Sequence, residues 1–256
     1  MNYSYWNDFV LAWSAGKKAI GGWTNPDSIP LYNDSSRKDK SSLYIPEPWW
    51  GNDGSNPLHS IIINYNPGEA QCCQKSGTVS VLHSYATEIV NSGLFPRTEK
   101  WHWTNRSEPI LSSLVRNGII TSRPCLNGHL SIELIPWHTK GVTPEYWKYI
   151  EQNARAVFDN VFIFASNEAA RIVNSKLHNV VLLRMSGNST RKLLSILAGI
   201  DKSIFVSSGA TKSGNTKYVE FQFASLSDTR FISFWGSTIR NGMPSQSEMN
   251  DFISII

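Results

Sequence analysis

The chain has 256 residues, 41% of them hydrophobic and 17% charged, which excludes a disordered chain and gives enough length for one sizeable core. A net charge of +4 with a pI near 8.9 is compatible with a polyanionic partner but does not require one. No apolar run reaches the roughly 18 residues of a membrane span, and MNYSYWNDFVLAWSAG lacks the basic and long apolar regions of a signal peptide. Cys72, Cys73 and Cys125 supply neither a disulfide framework nor a zinc spacing, so a cytoplasmic, reducing setting without membrane or metal is expected.

Residues 5–20 have the periodicity of an amphipathic helix closed by Gly21-Gly22. Residues 24–57, rich in Pro, Asn, Asp, Ser and Gly, read as a long loop that includes YIPEPWWGN. SIIIN at 60–64 reads as a buried strand that breaks into Asn66-Pro67-Gly68-Glu69. Helices are expected over 79–94 and 107–118, and a strand over HLSIELIPWH, 129–138. In that strand Leu130, Ile132 and Leu134 share one face, and Ser131, Glu133 and Ile135 the other. A helix is expected over 144–160, with Thr143 as N-cap and Pro144 in the first turn. VFIFA (161–165) reads as an apolar strand, 166–177 as a capped helix and 179–185 as a strand. The helix at 189–201 has Ser189 or Asn188 as its cap. KYVEFQF (217–223) and RFISFWG (230–236) alternate as a C-terminal hairpin.

Strands thus alternate with helices between about 60 and 200. The expected fold is a single α/β domain over 1–256, three-layer α/β/α, with a largely parallel central sheet. An N-terminal helix and loop (1–57) precede the core (58–200), and the hairpin and tail (201–256) follow it. Ligands of such sheets sit beyond the carboxyl ends of the strands, where NPGE, PWHTKG and SGNSTRK lie.

Ile63-Asn64-Tyr65-Asn66-Pro67-Gly68 resembles the first motif of the uracil-DNA glycosylase superfamily, closest to its mismatch-specific uracil/thymine branch. The order of elements in VFIFASNEAARIVNSKLHNVVLLRMSGNSTRKLL, 161–194, is similar to that superfamily's closing region. The resemblance spans roughly 58–200 and lies in order and spacing more than in identity. Two departures stand out. Arg184-Met185-Ser186-Gly187-Asn188-Ser189 replaces the usual His-Pro-Ser-Pro loop. Glu133 falls where a base-reading asparagine often ends a strand.

What the resemblance implies is cleavage of an N-glycosidic bond in DNA, without a cofactor, on a base flipped from the stack. It assigns Asn66 to orienting the attacking water; a turn that satisfies its own asparagine is the plainer reading. His138 would stand in for the missing histidine, or is structural. Tyr65, Trp49, Trp50 and Trp137 are candidates to stack on the base, or else fill the core. Glu133, an acceptor only, suits the exocyclic amine of a cytosine better than the carbonyl of uracil, unless it faces solvent. Arg184, Ser186, Ser189 and Arg191 surround a helix N-terminus suited to a DNA phosphate, or to ordinary capping. The expected protein is a monomeric, monofunctional glycosylase acting on double- or single-stranded DNA. Its expected substrate is a modified cytosine such as glucosylated hydroxymethylcytosine in phage DNA. A uracil/thymine mismatch glycosylase, a non-catalytic nucleic-acid-binding module and a small-molecule hydrolase are the competing readings.

Overall fold

The computed structural model of the chain describes residues 4–17, 19–26, 29, 46, 49–52, 54, 56–65, 108–121, 125–139, 141–210, 216–236, 253 and 256. The fold is mixed α/β. Among the described residues there are seven strands: β1 (Trp49–Gly51), β2 (Ser60–Asn64), β3 (His129–Glu133), β4 (Val180–Leu183), β5 (Ser203–Ala210), β6 (Thr216–Phe223) and β7 (Arg230–Gly236). They form one sheet in the order β1-β3-β2-β4-β7-β6-β5. β3, β2, β4 and β7 are mutually parallel, whereas β1, β6 and β5 join by antiparallel pairing. The sheet therefore has a four-strand parallel centre with antiparallel flanks. β6 and β7 continue that same sheet, and β5, which the sequence pattern did not disclose, forms its outer edge.

The two middle strands are near-continuous apolar runs because both of their faces are covered. Ile61, Ile62, Ile63 and Val180 to Leu183 are all buried. On one face, Val181 lies beside Phe231 and Leu183 beside Ser233, and Phe231 beside Phe221. A helical layer covers this face. It consists of α3 (Pro144–Gln152), α4 (Ala154–Val157), a π-helical turn (Phe158–Ile163), α5 (Phe164–Ala169) and α6 (Gly187–Leu197). Thr143 caps α3 by accepting from the Tyr146 N–H, with Pro144 at the first position. Two further helices are α1 (Ser4–Ser14) and α2 (Glu108–Arg116). Phe9 of α1 packs its ring 5.5 Å from Trp137. The buried apolar side chains form one cluster running from Phe9 to Phe234.

Several expectations need correction. VFIFA is no strand: it lies in the π-helical turn and α5. A short apolar run buried all round fits either element, and here helical spacing decides. Phe158 and Phe162, four residues apart, both pack on Phe223, at 5.0 and 5.1 Å. The helix expected over 166–177 ends at Ala169, and turns follow in which Asn174 and Asn179 take positive φ of 54° and 57°. β3 stops at Glu133 rather than running to His138. α6 starts at Gly187 with Ser186 as its cap, not Asn188 or Ser189. α1 ends at Ser14, well before Gly21-Gly22. The long loop of 24–57 contains β1, which pairs Trp49 with Ile132 and Trp50 with Ser131. The helix expected over 79–94 lies outside the described residues. Among the described residues no helix is long and apolar enough to cross a membrane.

Candidate functional site

The parallel strands in chain order are β2, β3, β4 and β7, and in space β3 and β4 flank β2 on opposite sides. The chain therefore leaves β2 toward one side and later returns on the other. A crevice opens at the carboxyl end of such a switch point. Three backbone segments meet there. The Leu134 N–H donates to the Asn64 carbonyl at 2.8 Å, and the Arg184 N–H to the Ile63 carbonyl at 2.9 Å.

Side chains extend the connection. Parallel pairing sets Asn64 beside Glu133, on the sheet face opposite the helical layer. The Asn64 amide donates to Ser131 Oγ at 2.7 Å and reaches Glu133 Oε1 at 3.4 Å. Glu133 is 4% exposed, so its carboxyl lies inside the protein and not on an outer surface. Further back on the same face, Ser60 Oγ and His129 Nδ1 are 2.9 Å apart. His129 is fully enclosed, and burial lowers its pKa to about 3, offset in part by a hydrogen bond with the Ser60 backbone.

Tyr65 joins the ends of β2 and β4. Its phenol oxygen accepts from the Ser186 N–H at 3.0 Å. Its carbonyl accepts from the Tyr146 hydroxyl at 2.6 Å. Burial holds the Tyr146 phenol well above the ordinary tyrosine range, and the electrostatic influence of the neighbouring Tyr65 and Glu133 adds to the effect. Tyr146 therefore stays protonated and remains a donor to the Tyr65 carbonyl. Ser186 caps α6, accepting from the Ser189 N–H at 3.3 Å while donating to Ser189 Oγ at 3.0 Å.

The sequence candidates thus divide. Tyr65, Glu133, Ser186 and Ser189 gather at the carboxyl edge of β2, β3 and β4. Arg184 is half-buried at the end of β4, and Arg191 is exposed on the first turns of α6. His138 is enclosed at 3% exposure beyond the end of β3. Trp137 is a core residue: its indole N–H donates to the Tyr149 hydroxyl at 2.8 Å while its ring meets Phe9. Trp49 is buried on the face that the helices cover, so both rings anchor the core as they stand. Trp50 is placed only by its backbone pairing with Ser131. Asn66 and the NPGE turn lie outside the described residues.

Comparisons with protein-family models, curated proteins and solved structures find no match. Among the described residues no three His, Cys, Asp or Glu side chains gather as a metal site. Sequence reasoning missed Asn64, Ser131 and Tyr146. The signal for Ser131 was the alternation of His129, Ser131 and Glu133 in β3, whereas Asn64 was marked only as the polar end of an apolar run. Tyr146 carried no such signal.

Proposed function

We propose that the chain is a DNA glycosylase hydrolysing the N-glycosidic bond of a flipped, modified cytosine and leaving an abasic site. One observation carries the reading. Glu133, buried and bonded to Asn64, lies at the same sheet edge as Tyr65 and the capped N-terminus of α6. An ionised carboxylate accepts hydrogen bonds and offers none, which matches the exocyclic amine of cytosine. The N-terminus of α6, with Arg184 and Arg191 close by in the chain, suits a backbone phosphate of the same nucleotide strand. Asn66 follows Tyr65 directly and is the residue assigned to orient water.

Bond cleavage builds positive charge on the deoxyribose and negative charge on the departing base. The sugar then needs only a positioned water, so binding geometry and electrostatics supply most of the rate. A base bearing a bulky mark absent from cellular DNA, such as glucosylated hydroxymethylcytosine in phage DNA, would let the enzyme spare its host. The test is incubation with DNAs carrying different natural cytosine modifications, with released bases identified by mass spectrometry and abasic sites counted. Release of a modified cytosine supports the reading; its absence from every such DNA refutes it.

A second reading is favoured by one feature. The loop from Arg184 to Ser189 holds no histidine, and His138 is enclosed. A non-catalytic nucleic-acid-binding module on this scaffold would show salt-dependent binding without abasic product.

A further inference from the structure

Asn64 carries an orientation that its neighbours impose. Its amide group faces Ser131 Oγ at 2.7 Å and Glu133 Oε1 at 3.4 Å, both on β3. Ser131 alone would not fix which way the amide turns, because a hydroxyl both donates and accepts. The structure sets Nδ2, not Oδ1, toward Glu133 Oε1, and an ionised carboxylate holds that orientation, because only the NH2 end of an amide can face it without repulsion. The Asn64 carbonyl oxygen must then point away from Glu133. Asn64 is half-buried at the carboxyl end of the central strand, and among the described residues no hydrogen bond reaches its Oδ1. Both side chains lie on the face opposite the helical layer, side by side in register.

We propose that Asn64 is a specificity-determining residue of this site: Glu133 turns its amide so that Oδ1, next to the Glu133 carboxylate, accepts a hydrogen bond from the bound base. Asn64 and Glu133 together form an edge that offers acceptors only. Its ligand is a base whose facing edge carries N–H donors, as the amine of a cytosine does. A uracil-type base presents a carbonyl oxygen at the same place and meets two acceptors. This rests on the glycosylase reading for the nature of the ligand but not for the discrimination itself.

The experiment separates the two. Duplexes carry one 5-hydroxymethylcytosine or one 5-hydroxymethyluracil, which share the 5-substituent and differ in the amine or carbonyl. Non-cleavable versions with 2′-fluoro sugars give equilibrium binding, and cleavable versions give base release. The wild-type chain is expected to bind the cytosine duplex more tightly. In Asn64→Leu, close in size but without an acceptor, that preference should fall about tenfold, the value of one good hydrogen bond to the ligand. A merely structural role would weaken both duplexes equally. Asn64→Ala serves the same comparison if the leucine chain does not fold. An unchanged preference in the substituted chain, or no preference in the wild type, overturns the proposal. Binding preference without base release leaves it standing and overturns the glycosylase reading instead.

Discussion

His129 makes the stability of this fold depend on pH, and the size of the effect follows from its burial. The ring is fully enclosed at the start of β3, and its pKa falls from the ordinary 6.5 to about 3. Between those values the unfolded chain takes up a proton at this position and the folded chain does not. The contribution is fully present above pH 6.5 and is lost as pH falls toward 3. Each pH unit in the window costs about 1.4 kcal/mol, so moving from pH 6.5 to pH 5 costs about 2 kcal/mol from this residue alone. His129→Gln removes the titration. Urea unfolding followed by circular dichroism at pH 7, 6 and 5 would give the stability of both chains. The substituted chain is less stable at pH 7, because Ser60 loses its ring partner, but its stability should fall with acid by about 2 kcal/mol less than the wild type. Equal acid sensitivity in the two chains would refute the enclosed, neutral imidazole.

Three further outcomes are expected. Tyr65→Phe removes the acceptor of the Ser186 N–H and should cost about 1–2 kcal/mol, read as a fall in thermal midpoint of a few degrees; an unchanged midpoint would contradict the brace between β2 and α6. Ser186→Ala should cost about 1 kcal/mol through loss of the α6 cap, with Ser186→Asp restoring most of it in denaturant titration. Trp137→Phe should cost about 1 kcal/mol through the lost hydrogen bond to Tyr149, with DNA binding unchanged; weakened binding at unchanged stability would return this ring to the ligand site.

The parts of the fold legible in the sequence are those where one local rule operates without competition. SIIIN and NVVLLRM are short, apolar and β-branched, bounded by polar turns, and they became β2 and β4. Thr143-Pro144 marked the start of α3 to the residue. VFIFA obeys the same strand rule as SIIIN but sits inside an aromatic helical face that packs on Phe223 and Phe231, contacts that lie far along the chain. β1 was hidden because Trp49–Gly51 is a three-residue edge strand, defined by pairing with β3 more than by its own pattern. β5 was hidden for a related reason: Ile204, Phe205 and Val206 are all about half exposed at the sheet edge, so no alternation betrays them.

The candidate site shows the same division. The alternation in β3 correctly separated Glu133 from Leu130 and Ile132, and Glu133 lies opposite them in the sheet. The link from Asn64 to Glu133 depends on register between strands that are 69 positions apart in sequence, which one strand's pattern does not encode. Tyr146 reaches Tyr65 across 81 positions for the same reason. The tryptophans were ambiguous because a large ring buried in a core and a ring offered to a base have the same sequence signature.

Base release from modified-cytosine DNA, measured for the wild-type chain and for Asn66→Ala, decides whether the proposed glycosidic cleavage takes place. A free modified cytosine and an equal number of abasic sites are expected from the wild type. Asn66→Ala should lose release by about a hundredfold or more while still binding the DNA, because only the positioned water is disturbed. Full release by Asn66→Ala, or no release by the wild type from any modified-cytosine DNA, would contradict it.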